Sequence, residues 1–197
     1  PSHSSDMAEK KGKLIIISAP SGTGKSTIIG ELTKDESLKL EFSISATTRQ
    51  PRRGEQDGVN YYFMTVEQFK AAIAGGEFAE YEEVYPGRYY GTLKREIERI
   101  NGDGRNVILD IDVKGGVNVK RMYGDEALSI FIAPPSIATL KARLEGRATD
   151  SAEEIAKRVA KAEFELTFAD KFDHRVVNDD LATAVEQTRS LIKQFIN

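Results

Sequence analysis

The chain has 197 residues, 40% of them hydrophobic, a formal net charge of −3 and no cysteine. That length and apolar content fit one ordinary domain with a small insert and exclude a disordered chain. The missing cysteines exclude disulfides, thiolate metal sites and cysteine nucleophiles, and the negative balance argues against a protein that coats nucleic acid.

At the N-terminus, Pro1-Ser2-His3-Ser4-Ser5-Asp6 lacks the charged and apolar regions of a signal peptide and resembles a tag remnant ahead of Met7. Residues 1–12 are expected to be disordered. No apolar run approaches the roughly 20 residues needed to span a bilayer. The chain therefore reads as soluble and cytoplasmic, with no nucleic-acid or membrane partner; a homo-oligomer is left open. Leu14-Ile15-Ile16-Ile17 is a short β-branched run suited to a strand buried on both faces. Gly22 and Gly24 interrupt it, and Ser26 to Leu32 follows with helical spacing. The stretch from Phe42 to Arg95 differs, with turn signals at Gln50-Pro51, Asp57-Gly58, Gly75-Gly76 and Pro86-Gly87 and many aromatics. It reads as an insert of mixed and antiparallel strands. Val107 to Ile111, Leu128 to Ile132 and Arg175 to Val177 are further strand candidates. Ile137 to Leu144, Ala152 to Phe168 and Leu181 to Ile196 carry helical patterns. Strands alternating with helices predict an α/β fold with a parallel sheet. The polar stretch Glu145 to Asp150 reads as a lid.

Ala19-Pro20-Ser21-Gly22-Thr23-Gly24-Lys25-Ser26 differs from the G-x-x-x-x-G-K-S/T phosphate loop only by alanine at its first position. Glycines let successive backbone N–H groups turn inward around phosphate oxygens, and the following helix points its positive end at the same anion. The strand before and the helix after supply the required context. Lys25 reaches toward β- and γ-phosphates, and the Ser26 hydroxyl is a ligand for Mg²⁺. Asp110, at a strand end, suits the acidic partner of that Mg²⁺, bound directly or through water; capping of the next turn is its plainer role.

Three arginines, Arg49, Arg52 and Arg53, fall within five residues of an acidic chain. Arginine forks grip phosphate oxygens, although such a cluster taken alone is more often a solvated turn. The run Thr47-Thr48-Arg49-x-x-Arg52-x-x-Glu55-x-x-Gly58-x-x-Tyr61-x-Phe63 resembles the signature of guanylate kinases. Glu77-Phe78-Ala79-Glu80-Tyr81, Tyr89-Tyr90-Gly91-Thr92, Ile108-Leu109-Asp110-Ile111-Asp112, Phe131-Ile132-Ala133-Pro134-Pro135-Ser136, Leu144-Glu145-Gly146-Arg147 and Val177-Asn178-Asp179 are similar to that family in the same order.

The resemblance implies a P-loop kinase with a parallel-sheet core (13–41, 96–140 and 160–197), a GMP-binding insert (42–95) and a helical lid (141–159). It implies transfer of the γ-phosphate of ATP to GMP, extending to dGMP, with Mg²⁺. ATP would be held by Ala19 to Thr27, with Arg143 nearby and Asn178 and Asp179 near the adenine. Arg49, Arg52, Tyr61 and Tyr90 would bind the GMP phosphate, with Glu55 positioning the arginines or a water. Ser45, Glu80, Thr92 and Asp112 would recognise guanine. Lys25, Arg49, Arg147 and Arg158 would stabilise the transferring group.

The chemistry agrees. Guanine offers two adjacent donors, N1–H and the N2 amino group, to a carboxylate; adenine does not. Without the resemblance, Glu80 reads equally well as a strand-edge surface glutamate. The acceptor phosphate is already largely ionised near neutral pH and needs no general base, so His174 reads as structural. Tyr62, Tyr81 and Tyr85 read as packing residues. Two rivals remain: a non-catalytic module of the same fold, and a P-loop kinase for another phosphorylated metabolite.

Overall fold

The computed structural model describes residues 11–147 and 149–197. The expected disorder of residues 1–12 lies, up to residue 10, outside the described residues; the Gly12 N–H donates to the Asn101 carbonyl at 2.9 Å. Five strands form a parallel sheet in the order β2-β7-β1-β8-β9: β1 Leu14–Ser18, β2 Leu40–Phe42, β7 Asn106–Asp110, β8 Ala127–Ala133 and β9 His174–Val177. Four more form a mixed sheet in the order β4-β3-β6-β5: β3 Ala46–Thr47, β4 Tyr62–Phe63, β5 Phe78–Tyr85 and β6 Arg88–Leu93. Two compact units result. One takes Glu41–Val107 with residues 11–14; the other takes Ile15–Leu40 and Ile108–Asn197.

The second of these units carries the phosphate loop. All five residues of β1 and all seven of β8 are buried, which explains why both read as continuous apolar runs instead of alternating ones. Helix α1 (Lys25–Thr33) turns Ile28, Ile29 and Leu32 inward. Helix α7 (Leu181–Ile196) starts at an Asp180 cap and buries Ala184, Val185, Thr188 and Ile192, the spacing of one helical face. These side chains pack with Ile15, Ile17, Ile130 and Ile132 as one core. A second cluster joins Leu140 and Leu144 of α5 (Ile137–Gly146) to Ile155 and Ala162 of α6 (Ala152–Leu166).

Helix α4 (Val113–Tyr123) lies where the sequence offers Gly115-Gly116, a pair that disfavours helix by about 1 kcal/mol per glycine. Packing overrides propensity here. A Cβ on Gly116 would sit 2.9 Å from Ser18 Oγ and 3.1 Å from the Phe172 ring. Ser18 cannot swing away, because its hydroxyl donates to the Ile111 carbonyl at 2.7 Å. Gly116→Ala should therefore destabilise the protein by about 1–2 kcal/mol in urea unfolding, the overpacking cost exceeding the helix-propensity gain. A more stable variant would refute that account.

In the other unit, α2 (Val66–Ala74) begins with a Thr65/Gln68 capping box. It presents Phe69 to Phe78 and Tyr89, whose rings lie 4.3 and 5.0 Å from it. Helix α3 (Lys94–Gly102) follows β6 directly. Tyr81 and Tyr85, expected to pack, are 49% and 65% exposed. Both stand on β5, an edge strand of the mixed sheet, which no strand among the described residues covers on its outer side. His174 is also exposed, in register with Ile130 across the β8–β9 pair.

Candidate active site

The phosphate loop joins β1 to α1, at the end of a sheet strand where such folds bind ligands. Gly22 and Gly24 have φ of 85° and 82°, a left-handed backbone that other residues rarely adopt. Ala19 is not among the described residues with positive φ. The replaced first glycine therefore leaves the loop's demanding positions untouched. Within the loop, Thr23 Oγ1 donates to the Pro20 carbonyl at 2.8 Å.

One pocket of about 680 Å³ is lined by Ala19, Pro20, Ser21, Gly22, Thr23, Gly24, Lys25, Ser26 and Thr27, with Asp110, Ile111, Asp112 and Arg147. Lys25 Nζ lies 2.5 Å from Asp110 Oδ1, both side chains partly exposed. Ser26 and Asp110, both hard oxygen donors, line this same pocket. Among the described residues no group of three or more His, Asp or Glu is arranged to hold a metal ion. Asp112 caps α4 by accepting from the Gly115 N–H at 2.8 Å, and it belongs to the unit of the phosphate loop.

Three other expected residues brace the loop. Asn178, only 5% exposed, donates its side-chain amide to the Thr23 carbonyl at 2.6 Å. Its own carbonyl accepts two Arg143 N–H groups at 3.3 Å. Arg158 donates to Ser21 Oγ at 3.3 Å and pairs with Asp150 at 3.4 Å. Asp179 is exposed. Ala148, in the stretch read as a lid, lies outside the described residues.

Lys161 and Glu165 also line the pocket and were missed in the sequence. Their signal was present: Arg158, Lys161 and Glu165 recur at helical spacing, so one face of α6 carries all three. Glu165 is 5% exposed, and burial raises its carboxyl above the usual range, opposed by Lys161.

In the other unit, Arg49 is buried and forks onto Glu55, with two N–H to carboxylate contacts of 3.0 Å. Its guanidinium lies 5.0 Å from the centre of the Tyr61 ring, and the Tyr61 and Tyr90 rings are 6.1 Å apart. The Arg52 N–H donates to Glu55 at 2.7 Å. Arg49, then the Arg52 N–H, holds the Glu55 carboxyl below its ordinary value; Glu55 in turn raises Arg49. Glu55 therefore fixes a permanently charged, aimed guanidinium. Arg52 itself is exposed. Thr92, buried on β6, donates its hydroxyl to Glu80 Oε2 at 2.7 Å, setting the carboxylate's orientation. Ser45 accepts the Tyr62 N–H on its carbonyl at 2.9 Å. The structure thus groups Arg49, Arg52, Glu55, Tyr61 and Tyr90, and pairs Glu80 with Thr92.

A parallel sheet whose first strand feeds a phosphate loop ending in Lys25-Ser26, with a strand-end carboxylate beside the lysine, defines a P-loop kinase fold. Residues 11–195 match the model of the family described as guanylate kinase. The chain belongs to the guanylate kinase family. It is 59% identical to the guanylate kinase of Porphyromonas gingivalis over 93% of its length and 98% of that protein. It is 56% identical to that of Bacteroides thetaiotaomicron, over 97% and 93% respectively. The crystal structure of guanylate kinase from Anaplasma phagocytophilum superposes with a TM-score of 0.68 at 28% identity, covering 96% of this chain and 89% of that one. No helix among the described residues is long and apolar enough to cross a membrane.

Proposed function

We infer that the chain transfers the γ-phosphoryl group of ATP to the phosphate of GMP, giving ADP and GDP. One observation carries the reading: the chain holds both a phosphate loop with its glycines, lysine and serine in place after Ala19 and a separate, pre-aimed Arg49–Glu55–Tyr61 cluster with the Glu80–Thr92 pair. The first set suits a triphosphate, the second a purine monophosphate with guanine's donors. In the reaction the bond between the γ-phosphorus and the β–γ bridging oxygen breaks, and a GMP phosphate oxygen bonds to that phosphorus. No proton need be abstracted from the acceptor. The protein's work is positioning and charge stabilisation.

Lys25, Arg147 and Arg158 are assigned to the transferring group, and Arg49, Arg52, Tyr61 and Tyr90 to the acceptor phosphate. Glu55 orients Arg49. Ser45, Glu80, Thr92 and Asp112 are assigned to guanine, and Arg143, Asn178 and Asp179 to the ATP side. Ser26 and Asp110 suit Mg²⁺: it prefers hard oxygens, keeps several waters and uses few protein ligands. Once bound it would neutralise phosphate charge. Residues 42–95 serve as the GMP-binding insert, 141–159 as the lid and the remainder from 13 as the core. A non-catalytic module is disfavoured by retention of Lys25, Ser26, Asp110, Arg49 and Arg52 together.

A coupled assay with GMP, dGMP, AMP and UMP tests the reading. GMP should be strongly preferred, with dGMP next. Equal use of GMP and AMP would sink it.

A further inference from the structure

Helix α3 places Glu96 on its buried face beside Ile97 and Ile100, leaving 2% of the residue exposed. Its Oε2 accepts the Ile44 N–H at 2.8 Å, and its Oε1 accepts the Tyr62 hydroxyl at 3.0 Å. Arg99 adds its Nε to Oε1 at 2.8 Å and a second N–H to Oε2 at 3.1 Å. Arg99 also reaches Glu41 at 3.3 Å, and Glu41 takes Arg105 at 3.1 Å. Burial penalises the Glu96 charge, but the Arg99, Ile44 and Tyr62 donors outweigh it and hold the carboxyl below its ordinary value.

The chain neighbours of these donors matter. Ile44 directly precedes Ser45, and Tyr62 directly follows Tyr61. The Tyr62 N–H donates to the Ser45 carbonyl at 2.9 Å. A ring of contacts therefore closes through Glu96, Ile44, Ser45 and Tyr62. The Tyr61 ring beside it faces the Arg49 guanidinium.

We propose that Glu96 is a positioning residue for the acceptor site, fixing the two segments that carry Ser45 and Tyr61. The proposal rests on the acceptor reading of Ser45, Arg49 and Tyr61. A buried, ion-paired carboxylate is weak support for stability, since apolar side chains fill such space equally well. What it adds is a single fixed register between two ligand-bearing segments, because each oxygen ties one of them. A slip of either segment would leave a buried acceptor unpaired.

The test compares GMP and ATP KM and kcat in the full chain for wild type, Glu96→Gln, Tyr62→Phe and Arg49→Ala, with circular dichroism to verify folding. Glu96→Gln should raise GMP KM about ten-fold and Tyr62→Phe about three-fold, with ATP KM within about two-fold of wild type. A purely structural role would instead move both KM values together or neither. An unchanged GMP KM in folded Glu96→Gln, or an equal rise for ATP, overturns the proposal. Should Glu96→Gln fail to fold, Tyr62→Phe decides by the same two criteria. If Arg49→Ala raises GMP KM while the other two variants do not, the positioning role alone fails. If Arg49→Ala leaves it unchanged, the acceptor reading fails and the proposal with it.

Discussion

Replacing Lys25 by alanine should lower kcat by about a thousand-fold, the size seen when one preorganised charge contact to a transition state is removed. Lys25 opens α1, inside the pocket lined by the phosphate loop, and its ammonium lies 2.5 Å from Asp110. On the proposed assignment, Lys25 would face the negative charge that grows as the γ-phosphoryl group leaves its bridging oxygen, and no hydroxyl or backbone N–H would supply a full positive charge in its place. The folded state should tolerate the change. The Lys25–Asp110 pair is partly exposed, and such pairs contribute little to stability. Thermal unfolding should therefore stay close to wild type while single-turnover phosphoryl transfer collapses. Turnover within ten-fold of wild type would remove Lys25 from the catalytic assignment.

What made that residue readable in the sequence was local geometry. Gly22 and Gly24 are needed for their left-handed backbone, and a need that local leaves its mark in consecutive residues. The runs of β1 and β8 were legible for a similar reason, since burial on both faces leaves no polar alternation. Helix α4 was not legible, because Gly115-Gly116 answers to the side chains of Ser18 and Phe172, remote in sequence. Helix α2 carried a readable signal in Thr65-x-x-Gln68, masked by the turn-rich segment around it. Glu96 was invisible in principle. In Lys94-Arg95-Glu96-Ile97-Glu98-Arg99 it is one charge among several, and only the fold brings Ile44 and Tyr62 to it. Asn178 shows the same limit: the motif marks its position, but its grip on the Thr23 carbonyl joins residues 155 apart.

The second large effect is expected at Glu80. Its carboxylate is oriented by the buried Thr92 hydroxyl at 2.7 Å, on neighbouring strands where the Glu80–Thr92 register is fixed by the β5–β6 pairing. Guanine presents two donors to such a group. Glutamine keeps the shape but turns one acceptor oxygen into an NH₂ donor, so one of the base's two donors would then face another donor. Thr92 can rotate its hydroxyl to suit either group, so the fold is preserved. Glu80→Gln should raise GMP KM about a hundred-fold and erase a similar share of the GMP-over-AMP preference, because discrimination by buried hydrogen-bonding groups far exceeds that by shape. ATP KM, which the proposed assignment ties to the phosphate loop, should stay within about two-fold of wild type. Steady-state kinetics with GMP and AMP as alternative acceptors measure all three quantities. If Glu80→Gln keeps its GMP KM, guanine is read by other groups, and the pairing of Thr92 with Glu80 is only a strand-to-strand tie.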